Sequence, residues 1–181
     1  MGNVVASAAA GASSFSIPPS SDRLNFEDVQ SVIANRGVSN GGVVGGSGGG
    51  GTDRGLVLII STLKSEFLNC VISGTVPAAQ EEARINDILS GNTVNGDTIT
   101  IIVYGLHATD ETAYAKYEQL LKHGITRVCV YVGGMFEWLL LQDVYGADLF
   151  PTSGKKDAAD IIKYRPPRSK LGPTYDILKI M

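Results

Sequence analysis

A chain of 181 residues and 19.1 kDa, 44% of them hydrophobic, has the size of one ordinary domain and can bury a real core. Its 15 Lys and Arg stand against 18 Asp and Glu, a net charge of -3, so it lacks the basic excess that grips phosphate backbones and no nucleic-acid partner is expected. Two cysteines, Cys70 and Cys129, show neither CxxC nor Cys/His spacing, which excludes a disulfide framework and structural zinc and points to a reducing compartment; no metal and no cofactor is expected.

The first charge along the chain is Asp22. The stretch before it is rich in Ala, Ser, Gly and Pro, with neither the run of about 18 apolar residues that spans a bilayer nor the basic start and leucine-rich centre of a signal peptide. Residues 1–22 read as a flexible low-complexity leader. Its start, MGNVVAS, is similar to a myristoylation start at Gly2, with Ala6 where the pattern has Ser or Thr, so membrane contact is expected only if Gly2 is acylated.

LNFEDVQSVIANRG predicts a short helix, with Asn25 as N-cap, Phe26, Val29, Val32 and Ile33 as the apolar stripe and Gly37 as the stop. Ten of the 22 glycines then fall between Gly37 and Gly55, a flexible loop without the Gly-Lys-Ser/Thr that a phosphate-binding P-loop needs. GLVLIIST follows as a strand buried on both faces. TITIIVYG is a second such strand, and DETAYAKYEQLLKHG a helix with Ala113, Tyr114, Tyr117, Leu120 and Leu121 on one face. TRVCVYV is again a strand. GGMFEWLLLQDVYG predicts a helix apolar on nearly all sides and therefore buried between neighbours. Alternating strands and helices predict right-handed crossovers and a parallel sheet covered on both faces, an α/β domain over residues 23–150.

Residues 151–181 form a basic extension: Lys155, Lys156, Lys163, Arg165, Arg168, Lys170 and Lys179 against Asp157, Asp160 and Asp176 make it +4 and leave -7 for the rest. RPPRSK within it is extended by its prolines, while Ile161, Ile162, Ile177, Leu178 and Ile180 are more apolar than a solvated tail requires. Two fates are open for these residues: docking back on their own acidic domain, or reaching an acidic neighbour.

From Leu56 to Tyr145 the chain resembles a rhodanese-like domain. Members of that family carry a strand ending in an Asp and Arg pair, a segment of the type EExxxGHIPGAxNIP, a strand ending in the catalytic Cys loop, and a GGxxxW helix. Here LIISTLKSEFLNCVISGTVP occupies the first stretch, with Ile72 and Gly74 at the Ile and Gly of the GHIPGA turn; IIVYGLHATDET occupies the loop, and Gly133, Gly134 and Trp138 match GGxxxW. The resemblance implies a five-stranded parallel sheet flanked by helices. GGMFEWLLLQDVYG followed by FPT is similar more narrowly to rhodanese-like proteins encoded by large DNA viruses of algae and protists.

The departures fall on the chemistry. Active members use a Cys at the start of the loop, inward-pointing backbone N–H groups that stabilise the persulfide, and an Arg at the loop's end that keeps the thiolate ionised. In this sequence the loop is Gly105, Leu106, His107, Ala108, Thr109 and Asp110, with Gly105 at the Cys position and Asp110 at the Arg position, beside Glu111. Ile60 and Thr62 replace the earlier Asp and Arg pair. No catalytic residue remains: His107 reads as a solvated loop residue, Cys129 as a small hydrophobe in its strand, and Cys70 as partly buried in the turn. The expectation is a catalytically inactive rhodanese-like module, a pseudoenzyme acting in protein binding or assembly, with virion proteins as partners and the host cytoplasm or virion as its place. The alternative is a sulfurtransferase or phosphatase-like enzyme with a relocated nucleophile.

Overall fold

The computed structural model describes residues 16–37, 56–64, 69–91 and 99–154. Gly2, the glycine-rich loop from residue 38 to 55 and the extension from residue 155 lie outside the described residues. A 3-10 turn (Ser20–Asp22) leads into β1 (Arg23–Leu24) and α1 (Phe26–Gly37), then β2 (Val57–Ser61), β3 (Cys70–Ile72), α2 (Ala78–Leu89), β4 (Thr100–Tyr104), α3 (Glu111–Lys122), β5 (Val128–Tyr131), α4 (Gly134–Tyr145) and β6 (Thr152–Gly154). The α1 start is the expected one: Asn25 Oδ1 accepts from Asp28 N and Asp28 Oδ2 from Asn25 N, both at 3.0 Å, a reciprocal cap that satisfies two amides.

The α/β class holds. Strands β1, β5, β4 and β2 form one parallel sheet in that order, with β2 and β4 in register from Val57↔Thr100 to Ser61↔Tyr104. Among the described residues this sheet has four strands, where the resemblance implies five. Where a fifth would pair with β2 there is one parallel bridge, Ile59↔Thr75, backed by Val76 N donating to Ile59 O at 2.8 Å. Two residues later the chain turns into α2 at Pro77, which has no N–H to extend a ladder. β3 instead pairs antiparallel with β6.

Alternation along the buried strands sorts the core onto two faces. Ile101, Val103, Ile60, Val128 and Val130 meet Ala113, Tyr117 and Leu120 of α3, with Ile85 and Ile88 of α2 at the margin. Ile102, Tyr104, Ile59 and Tyr131 meet Val29 of α1 and Met135, Trp138 and Leu139 of α4. Leu121, placed on the buried face of its helix from sequence, is exposed. The larger correction concerns α4, which is not buried all round. Met135, Trp138, Leu139 and Gln142 are buried, but Phe136, Leu140 and Val144 are 41%, 47% and 64% exposed. One layer of helices suffices to cover each face of a sheet, so an outer helix has a far side that no described element reaches.

Packed chain extends beyond residues 23 and 150 at both ends. Pro18 is buried, Ser16 donates to Glu118 Oε1 through its amide (2.9 Å) and hydroxyl (2.6 Å), and Tyr117 OH donates to Asp22 at 2.5 Å. At the other end Phe150 packs edge-on against Trp138, whose Nε1 donates to Pro151 O at 3.2 Å, and Gln142 Nε2 donates to Phe150 O at 2.6 Å. No helix among the described residues is long and apolar enough to cross a membrane.

Candidate functional site

In parallel α/β sheets ligands meet the loops at the carboxyl ends of the strands, and here the loop from Gly105 to Asp110 leaves that end of β4. Tyr104, the last strand residue, is fully buried and anchors the neighbouring turn: its hydroxyl accepts from Ile72 N at 3.1 Å and lies 3.1 Å from Thr75 Oγ1. Burial, more than any other influence, pushes its phenol pKa up, so it stays neutral.

The N-terminus of α4 holds the loop from behind. Met135 N donates to Gly105 O and Phe136 N to Leu106 O, both at 2.9 Å, so two loop carbonyls satisfy amides that the first turn of a helix leaves unpaired. This approach needs glycine at position 134. Its φ is +65°, and a Cβ there would lie 2.7 Å from Gly105 O and 3.0 Å from His107 N.

Asp110 closes the loop from inside. Its Oδ2 accepts from Leu106 N at 2.7 Å, while Oδ1 accepts from Thr112 N at 3.0 Å and from the Thr112 hydroxyl at 2.6 Å, capping α3. Burial pushes this carboxyl's pKa up, but the hydrogen bonds from Leu106 and Thr112, with the charge of His107, outweigh it and hold the group below its ordinary value. The carboxylate thus stands against the start of the loop: a Cβ on Gly105 would lie 2.6 Å from Oδ2.

The six loop residues singled out from sequence are therefore together, with different fates. Gly105 is buried; His107, Ala108 and Thr109 are exposed, with the Thr109 hydroxyl 3.1 Å from His107 Nδ1 and Tyr114 OH donating to Ala108 O at 2.8 Å. Thr62 reaches the site, 2.9 Å from Thr112 Oγ1, whereas Ile60 is buried in the core on the α3 face. The space lined by Thr62, Leu63, Lys64, Leu106, Asp110 and Thr112 is about 70 Å³, well under the roughly 300 Å³ at which metabolite clefts begin. Neither thiol is part of it. Cys70 is fully buried rather than partly, and burial raises its pKa against a smaller opposing hydrogen bond with Thr152; Cys129 is half-buried, its pKa raised by burial and then by Asp22 and Asp28.

Sequence reasoning missed Thr112 and the capping role of Asp110. The signal was present in the Asp-Glu-Thr run that opens a helix pattern, where Asp is a preferred N-cap.

In three dimensions the chain is similar to yeast Ygr203w, a protein tyrosine phosphatase of the rhodanese family, with a TM-score of 0.50, 16% sequence identity, and 82% of this chain and 100% of that one covered. The fold is rhodanese-like. Protein BH2092 from Bacillus halodurans is also similar, at a TM-score of 0.44 and 18% identity over 80% of this chain and 85% of that one. No protein-family model matches the chain, and no curated protein does. The loop from Gly105 to Asp110 follows β4, and α4 (Gly134–Tyr145) carries Trp138 with Gly133 as its N-cap.

Proposed function

We propose that the chain is a catalytically inactive rhodanese-like module that acts by binding protein, in assembly, with the virion or host cytoplasm as the setting its viral resemblance implies. The reading rests on the Asp110 carboxylate, bonded to Leu106 N inside the loop. A thiosulfate or phosphoryl group would have to displace a charge of its own sign, and two unit charges about 4 Å apart repel by roughly 4 kcal/mol at an effective dielectric near 20. Gly105 offers no nucleophile, and the pKa of each thiol is shifted away from the thiolate form that a relocated nucleophile would need.

Thermal unfolding with thiosulfate, sulfate or phosphate tests the loop, because any anion bound by the native state alone raises the midpoint. No shift is expected with any of the three, alongside recovery of a specific protein partner by pull-down and mass spectrometry or from purified particles. A midpoint that climbs with thiosulfate or phosphate concentration contradicts the reading.

A further inference from the structure

An outward helix face is ordinarily polar, yet α4 carries Phe136, Leu140 and Val144 at i, i+4 and i+8, exposed side by side, with the exposed Tyr145 and Leu149 beyond them. The acids around this ridge are Glu137, Asp143 and Asp148, and no Lys or Arg occurs between Arg127 and Lys155. A second copy of the chain docking there would set an acidic rim against an acidic rim.

The complementary chemistry is in the chain itself. Residues 155–181 carry seven cations against three acids, and Ile177, Leu178 and Ile180 lie around Lys179. This segment begins next to α4: it follows Gly154, two residues after Thr152, whose Oγ1 accepts from Gln142 Nε2 of α4 at 3.2 Å. At roughly 3.3 Å per extended residue the chain from 155 to 176 can span about 70 Å, whereas the 12 residues of α4 measure only about 18 Å.

We propose that the C-terminal segment is the occupant of this face, with Ile177, Leu178 and Ile180 laid on Phe136, Leu140 and Val144 and Lys179 beside Asp143 and Asp148. The proposal is independent of the loop's catalytic silence.

Zero-length carbodiimide cross-linking of the full chain, in an equal mixture of ¹⁴N- and ¹⁵N-labelled protein, tests this. Amide bonds between Lys179 and Asp143 or Asp148 are expected within single chains. Their yield should fall several-fold in Leu140→Asp and in Ile177→Asp, both checked for native far-UV circular dichroism; Leu140 is already half exposed, so its replacement leaves the core intact. Mixed-isotope products in place of single-chain ones would assign the face to a second copy and overturn the proposal. So would the absence of Lys179 cross-links, or a yield indifferent to Leu140→Asp.

Discussion

The Asp110 side chain ties the Leu106 amide to the first turn of α3, so one carboxylate both caps a helix and fills the position next to Gly105. Replacing it by Ala should destabilise the fold by about 1 kcal/mol, the usual value of an N-cap, with some loss from the freed Leu106 amide. Its folded pKa lies below the unfolded one, so its contribution is present above the unfolded value of about 3.9 and lost as the pH falls through the folded value. Urea midpoints of wild type and Asp110→Ala should therefore differ fully at pH 7 and converge on acidification below about pH 4. Gly105→Cys alone should yield no sulfur transfer to cyanide, since the new Cβ meets Asp110 Oδ2 at 2.6 Å and the carboxylate disfavours the thiolate. The loop itself, Gly105 to Asp110 between a strand and a helix, was legible in the sequence. The hydrogen bonds of Asp110 were not, because they depend on how tightly the loop turns.

At the scale of elements, the parallel strands and α3 were legible because β2, β4 and β5 are long apolar runs and α3 has a buried stripe of Ala113, Tyr117 and Leu120. Helix α2 went unread: none of its residues is buried, and Ile85 and Ile88 pack against the core only from its margin. Strands β1, β3 and β6, of two or three residues each, are too short to show a pattern. The burial of α4 was misjudged because composition counts apolar residues without saying how many neighbours will cover them. Its N-terminus offers a sharper test. Gly134→Ala forces a left-handed residue, at about 1 to 3 kcal/mol, and drives a Cβ to 2.7 Å from Gly105 O, so its melting midpoint should drop further than that of Gly124→Ala, which has open space around it.

Across the whole molecule, side chains from distant parts of the sequence join the packed ends to the sheet. Tyr117 holds the N-terminal segment through Asp22, while Trp138 and Gln142 hold the chain from Phe150 to Thr152. Packing reaches beyond residues 23 and 150, and proline, serine and glycine composition does not reveal that a buried Pro18 and the hydrogen bonds of Ser16 will dock a segment. Burial and the bond to Asp22 push the Tyr117 pKa up to about 12. A raised folded pKa contributes stability that is full below the unfolded value near 10 and lost as the pH climbs toward 12. Stability should fall over that window in wild type and less steeply in Tyr117→Phe, as followed by denaturant unfolding. The proposed function joins a rhodanese-like fold to an absence of rhodanese chemistry. Thiocyanate release from thiosulfate and cyanide by the full chain measures it most directly: no turnover above the uncatalysed rate is predicted, and turnover that disappears in Cys70→Ser or Cys129→Ser would contradict it.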